Sequence, residues 1–176
     1  MSKGGVYHHA LSTAIVSEHI ARITLKSTPD IAYTAGLLHD IGKVPLDQYV
    51  GSAMPQFYRQ LYSDGHTLLD AETSILGITH AEAGRRLAEL WAFPAALTDV
   101  ITFHSQPELA QNDPDLVHVV YLANLLISRF HPCHELENIG TEKLSIRLQR
   151  LGLDQKSLSD LISAIPWKSL DNAGSF

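Results

Sequence analysis

The chain has 176 residues, of which 45% are hydrophobic and 18% are charged, a composition typical of one globular domain with a sizeable core. Its formal net charge of −6 disfavours broad binding to nucleic-acid phosphates. The single cysteine, Cys133, excludes an internal disulfide and fits a reducing compartment. No apolar run approaches the roughly 20 residues that span a bilayer, and the N-terminus lacks a signal-peptide core. We therefore expect a cytoplasmic protein with neither a membrane nor a nucleic-acid partner.

Helical periodicity dominates the chain, so we expect an all-α fold in which residues 1–176 form a single domain. The first predicted helix runs from about Val6 to Leu25, and its apolar face carries His9. The second predicted helix starts at Pro29 and Asp30 and carries His39 and Asp40, within Ala35–Lys43, which reads Ala-Gly-Leu-Leu-His-Asp-Ile-Gly-Lys. Gly42 is predicted to be the left-handed residue that closes this second helix.

The later helices carry further polar residues. The segment Thr79–Glu82 has the form of a capping box, which puts His80 in a first helical turn with its ring able to face outward into a cleft. The next helix places His104 on its apolar face. The most apolar helix, from about Asp115 to His131, carries Asn124 on its apolar stripe. Near the C-terminus we predict two short helices, at about 141–151 and 155–165, and a loose tail at 171–176.

His39 and Asp40 lie in a segment that the pattern predicts to be buried nearly all round. A histidine and a carboxylate in apolar surroundings are costly unless each has a partner. A divalent metal ion would satisfy both groups. A buried His-Asp pair that joins two helices would also do so, and the dipeptide alone leaves both interpretations open.

Six polar residues fall on apolar helical faces or at a fixed helix start. Taken singly, each is explained by a hydrogen-bonded place in the core. Together they favour convergence on a common point, because separate helices each bring a polar group inward, which is costly unless the groups meet. These residues are His9, His39, Asp40, His80, His104 and Asn124.

Converging imidazoles and a carboxylate would form a site for one or two divalent cations, with Asp40 able to offer one oxygen to each. Two ions about 3.5–4 Å apart bind a phosphoryl group, activate water and neutralise developing charge. Lys43, one turn beyond Asp40, would then contact a phosphate oxygen as a point charge. The alternative for Lys43 is a solvated residue near a helix C-terminus. Asp40 and Lys43 are the candidate catalytic residues.

These motifs resemble the HD superfamily of metal-dependent phosphohydrolases, named for the pair at His39-Asp40, and more narrowly its HDOD branch. The resemblance implies an HD-domain-like helical bundle with a central metal site that holds Fe, Mn, Ni or Zn. The matching segments occur in the family's order and are Tyr7–Ala10, Ala35–Lys43, Gly77–Gly84, Leu90–Pro94, Phe103–Pro107 and Leu122–Asn124.

The resemblance also implies site residues and substrates. The positions that hold the first metal in catalytic relatives are those of His9, His39, Asp40 and Asn124. Aspartate stands at the last of these in the relatives, and the positions of His80 and His104 add ligands to a second metal. The implied substrates are nucleotides, cyclic nucleotides or cyclic dinucleotides. HDOD members, in contrast, are mostly regarded as signalling or output modules without established catalysis.

The sequence departs from the catalytic pattern at two positions. Asn124 offers an amide oxygen but no negative charge, which predicts a weaker first metal site. The residues after His104 are Ser-Gln-Pro, without the second histidine and the Gly-Tyr-Pro signature of the cyclic-di-GMP phosphodiesterase branch, so that reaction is disfavoured. The chain begins a few residues before the first motif, whereas HDOD proteins usually carry an upstream helical lobe.

Two hypotheses follow. The first is a metal-dependent phosphohydrolase that acts on a nucleotide or cyclic nucleotide, with a phosphate-containing small molecule as its partner. The second is a catalytically silent HDOD module that acts through a signalling protein partner. Replacing Asn124 by aspartate would separate them, because strong activity before the change would reject the silent module.

Overall fold

The computed structural model describes residues 5–130, 141–165, 167 and 170, with the side chains of 129, 130, 141 and 142 left aside. Within these residues the regular structure is helical, which confirms the predicted all-α fold. The predicted tail at 171–176 and Cys133 lie outside the described residues. The α-helices are α1 (Gly5–Thr24), α2 (Pro29–Leu38), α3 (Lys43–Tyr58), α4 (Leu68–Leu76), α5 (His80–Leu90), α6 (Ala95–Phe103), α7 (Pro114–Phe130), α8 (Thr141–Arg150) and α9 (Gln155–Ala164).

Helix α1 packs mainly against α2 and α7, and small residues allow α1 and α2 to approach closely. A Cβ atom on Gly36 of α2 would lie 2.8 Å from the Cα of Ala14 in α1, so only glycine fits at this crossing. The ends of the two helices that carry His9 and His39 are thereby brought into contact, with ring centroids 5.3 Å apart.

The hydrophobic core is built around α7 and extends to the C-terminal helices. Apolar residues from α1, α6 and α7 fill its centre, and leucines of α8 and α9 cover one side. Burial of these side chains supplies the main stabilisation of such a bundle. Representative members with little or no solvent exposure are Val16, Ile20, Val100, Leu116, Val120, Ile127, Leu151 and Leu161.

The turn between α2 and α3 differs from the prediction. Gly42 has φ −68° and ψ −16°, a right-handed conformation, so the predicted left-handed helix end is wrong. The chain instead passes through tight turns, in which the Lys43 amide donates to the Asp40 carbonyl, directly into α3. Glycine is required at position 42 because the N-terminal turn of α5 lies against it.

The start of α5 is capped as expected, but His80 does not face outward. The hydroxyl oxygen of Thr79 accepts a hydrogen bond from the Glu82 amide at 3.1 Å. The Glu82 carboxylate binds Arg85 and Arg86 rather than closing the box. His80 is only 3% exposed, because α5 packs its first turn against the α2–α3 turn and α6.

The second helix is also more exposed than predicted. Ile31 is 47% exposed and Thr34 faces solvent, so the segment before His39 is buried on one side rather than nearly all round. None of the described helices is long and apolar enough to cross a membrane.

Candidate metal centre

His39 and Asp40 follow directly after α2 and are almost completely buried, with exposed fractions of 1% and 4%. The Nδ1 atom of His39 lies 2.7 Å from the carbonyl oxygen of Gly36. Because that oxygen can only accept, Nδ1 must donate, and in the neutral form of the ring Nε2 presents its lone pair to the interior. This Nε2 atom is buried without a hydrogen-bond partner among the described residues. A buried, unsatisfied ring nitrogen of this kind is a ready-made ligand atom.

The two carboxylate oxygens of Asp40 face two different pairs of histidines. Oδ2 lies 3.3 Å from Nε2 of His39 and 3.7 Å from Nε2 of His9. Oδ1 lies 3.6 Å from Nε2 of both His80 and His104. We call His9, His39 and Oδ2 the first half-site, and His80, His104 and Oδ1 the second half-site. In each half-site the three ligand-type atoms lie within 4.8 Å of one another.

The second half-site brings two imidazole nitrogens and a carboxylate oxygen to a common point. The Nε2 atoms of His80 and His104 are 3.2 Å apart. The Nδ1 atom of His80 is held by Glu72, and that of His104 lies 3.2 Å from the carbonyl oxygen of Ile101. Both Nδ1 atoms therefore donate, so that two neutral rings direct their Nε2 lone pairs at each other and at Oδ1. Two nitrogens bound at about 2.0–2.1 Å to one ion stand roughly 3.0–3.4 Å apart, so the spacing suits a shared cation.

The electrostatic surroundings of Asp40 and His104 favour the protonation states in which these two groups bind metal. Burial alone would raise the pKa of Asp40, but the neighbouring charges of His39 and Lys43 outweigh it and hold that pKa well below its usual range. Burial, followed by the charge of His39, holds the pKa of His104 well below its usual range. An ionised carboxylate and a neutral imidazole are the forms that coordinate metal. The residues present fit a divalent cation.

Lys43 is bound to the cluster. Its Nζ atom lies 2.9 Å from Oδ2 of Asp40, and its side chain is 17% exposed. The alternative of a solvated side chain near a helix C-terminus is therefore wrong, since Lys43 stands at the start of α3 and forms an ion pair. A contact between Lys43 and a phosphate oxygen stays a prediction.

Asn124 on α7 differs from the five residues around Asp40. Its side chain is partly buried, and its Oδ1 atom accepts a hydrogen bond from the hydroxyl of Ser128 at 3.4 Å. The structure thus brings five of the six predicted site residues together at the half-sites, and coordination by Asn124 stays a prediction.

Glu72 is a site residue that the sequence analysis missed. It lies in α4, is 5% exposed, and its carboxylate contacts both the ring and the backbone amide of His80. The signal was an acid on an apolar helical face, because Glu72 lies four residues after Leu68 and four before Leu76.

The fold and the cluster define an all-helical bundle whose buried centre combines four histidines with one shared carboxylate. The sequence profile of the HDOD domain matches residues 2–107, and the chain belongs to the HDOD family. No curated protein matches the chain closely enough to count as a relative.

Solved structures share the fold. A protein from Shewanella amazonensis SB2B that carries the provisional name phosphohydrolase is 21% identical, with a TM-score of 0.73 over 97% of this chain and 63% of that one. An HDOD domain protein of unknown function from Geobacter sulfurreducens is 22% identical, with a TM-score of 0.69 over 94% of this chain and 62% of that one. A protein from Marinobacter aquaeolei VT8 with the provisional name signal transduction protein is 19% identical, with a TM-score of 0.73 over 94% of this chain and 38% of that one. The chain thus spans less than two thirds of each of these structures.

Proposed function

We propose that this chain is a divalent-metal-binding HDOD domain whose centre hydrolyses a phosphoric ester of a nucleotide or cyclic nucleotide. The observation that carries the proposal is the convergence of four imidazole Nε2 atoms on the two oxygens of Asp40, inside an interior that excludes water. Lys43 binds Oδ2, and the imidazole nitrogens around Asp40 are desolvated, so a divalent cation bound among them would offset the cost of keeping them from water.

Each residue has a defined part in this proposal. His9 and His39 hold one side of the centre, His80 and His104 hold the other, and Asp40 offers one oxygen to each side. Two divalent ions, when bound, would supply Lewis acidity and an activated water. Lys43 lies beside Oδ2 of Asp40, where its ammonium group can neutralise a phosphate oxygen of the substrate. Imidazole and carboxylate ligands suit Fe, Mn, Ni or Zn.

A second candidate function is a signalling or output module that binds metal, or holds the cluster as a structural core, without turnover. The observation that favours it is the ion pair of Lys43 with Asp40, which neutralises the only carboxylate that the half-sites share. Asn124 carries no negative charge, and the Marinobacter neighbour carries a signalling name. Its partner would be a signalling protein, and a cytoplasmic location is part of both proposals.

The test measures the metal content and the hydrolytic activity of the same protein preparation. Elemental analysis and anomalous scattering at Asp40 would report bound Fe, Mn, Ni or Zn, and hydrolysis of nucleotide monoesters and cyclic nucleotides would be assayed with each metal added. The phosphohydrolase predicts bound metal and turnover that Asp40→Asn abolishes. Bound metal without turnover supports the signalling module, and turnover that appears only in Asn124→Asp supports it further. A protein that neither binds metal nor hydrolyses these esters contradicts the main proposal.

A further inference from the structure

We infer that the two half-sites are not equivalent: the second half-site, made by His80, His104 and Oδ1 of Asp40, takes the first metal ion, and Glu72 is the positioning residue that makes it the tighter one. This inference rests on the proposed metal binding and adds to it the order of filling. It reverses the order that the family resemblance implies, in which the side of His9 and His39 holds the primary ion.

Glu72 holds His80 at two atoms, the ring Nδ1 and the backbone nitrogen. Its two carboxylate oxygens lie 2.9 and 2.7 Å from the ring Nδ1 atom, and Oε2 also accepts from the backbone amide of His80 at 2.8 Å. The contact therefore sets the tautomer, the rotation of the ring and the position of the main chain at the start of α5. All of these bonds are buried, so water does not compete with them.

A carboxylate behind a ligand histidine makes that histidine a stronger ligand. The carboxylate partly accepts the Nδ1 proton, which leaves more electron density on the ring, raises the basicity of Nε2 and pre-orients its lone pair. In this protein the lone pair is directed at His104, whose own Nε2 is 3.2 Å away, and at Oδ1 of Asp40. The second half-site is thus assembled and backed by a full negative charge before any ion arrives.

The first half-site differs in the group behind His39 and in the presence of a competing cation. The Nδ1 atom of His39 is backed by the neutral carbonyl of Gly36 instead of a carboxylate. The ammonium group of Lys43 lies 2.9 Å from Oδ2, the oxygen that an ion in this half-site would use. An entering divalent ion would therefore meet a like charge at close range and would have to displace Lys43 from Asp40.

The order of filling is tested by titrating the metal-free full chain with Co²⁺, followed by visible absorption and by calorimetry. The wild-type protein should show two binding steps. Glu72→Gln keeps the shape of the side chain but removes its charge, and should weaken the tighter step by about 10- to 100-fold while leaving the weaker step in place. Glu82→Gln is the matched control, since it removes a carboxylate two residues beyond His80 that contacts Arg85 and Arg86, and both steps should be unchanged.

A second variant addresses the other half-site. Lys43→Met removes the competing ammonium group and should tighten the weaker step by about tenfold or more, and the tighter step by less, because the ammonium group contacts Oδ2 rather than Oδ1. Thermal melts of the metal-free variants establish that each is folded. If Glu72→Gln weakens only the weaker step, or if Lys43→Met tightens the tighter step as much as the weaker one, the assignment is overturned. A wild-type chain that binds no Co²⁺ contradicts the proposed function itself, which is a separate outcome.

Discussion

Gly42 and His80 are in backbone contact: a Cβ atom on Gly42 would lie 1.9 Å from the carbonyl oxygen of His80. The same Cβ would lie 2.5 Å from the backbone nitrogen of Gly84. The turn after Asp40 and the first turn of α5 therefore touch through their main chains. This close approach is what carries the His80 ring to Oδ1 of Asp40, 3.6 Å away.

Replacing Gly42 by alanine should therefore damage the centre even though Gly42 offers no ligand. The added methyl group must push α5 away from Asp40, at a cost of about 1–3 kcal/mol or more in unfolding free energy, and metal affinity should fall. Urea denaturation and metal content measure the two effects. Gly51→Ala is the control, because Gly51 lies in exposed helix with open space around it and alanine there should be neutral or stabilising by up to about 1 kcal/mol. A Gly42→Ala protein that binds metal like the wild type would refute this account.

Metal removal should lower thermal stability. An ion that binds only the folded chain stabilises it by about 2.7 kcal/mol at one hundred times its Kd. For a chain of this size that corresponds to a rise in Tm of roughly 5–11 °C. Differential scanning calorimetry with Zn²⁺ or Mn²⁺, and again after EDTA, measures the shift. Asp40→Asn removes the negative charge that both half-sites share, so neither the metal ions nor EDTA should change the Tm of this variant. A metal-dependent rise in its Tm as large as that of the wild type would contradict metal binding at Asp40.

We expect the hydrogen bonds of Asp99 to contribute to the free energy of unfolding in a way that is lost at acidic pH. Burial would raise its pKa, but hydrogen bonds from Asn112 and its neighbours outweigh burial and hold the pKa below its usual value. Its Oδ2 atom accepts from the backbone amides of Gln111, Asn112 and Asp113 at 2.8, 2.5 and 3.2 Å. Since the folded pKa is depressed, the stabilisation is present above the unfolded pKa of roughly 3.9 and is lost as pH falls through the folded pKa.

Asp99→Asn should accordingly lose about 1–3 kcal/mol of unfolding free energy near neutral pH. The difference from the wild type should shrink below about pH 4, where the wild-type carboxylate becomes protonated. Urea titrations over a range of pH measure both quantities. Asp64→Asn, at an exposed position, should differ from the wild type by no more than about 0.5 kcal/mol throughout. A difference for Asp99→Asn that grows as pH falls would contradict the assignment.

We expect the contacts of Arg147 to stabilise the packing of α8 against the rest of the fold. Its guanidinium group binds both carboxylate oxygens of Glu108, at 2.5 and 3.0 Å, and lies 4.2 Å from the centroid of the Tyr121 ring. Arg147→Lys keeps the charge but loses the paired hydrogen bonds and the stacking, so it should cost about 1–2 kcal/mol and speed proteolysis of the C-terminal helices. Arg150→Lys is the control, since its contact with Asp115 is more exposed and should matter by less than about 0.5 kcal/mol. Equal losses in the two variants would argue against a special role for Arg147.

The sequence alone determined the helical class and the inward direction of several histidines. Apolar residues at helical spacing place His9 and His104 on buried faces whatever the rest of the fold does, because a helix repeats every 3.6 residues. Capping residues such as Thr79 and Asp154 mark helix starts through local hydrogen bonds, and both act as caps in the structure. These properties depend on neighbours within one or two turns, so a linear pattern contains them.

Only the tertiary structure decided how the centre is divided. The backing of His80 by Glu72, the facing of His80 and His104, and the pairing of Lys43 with Asp40 all depend on how far apart helices pack and at which rotation. Periodicity gives the buried face of a helix but neither its crossing angle nor its distance from the next helix. Position 42 needs glycine because the backbone of α5, which is distant in sequence, packs directly against it. The local pattern contains no information on that contact, so the prediction of a helix end at Gly42 was wrong.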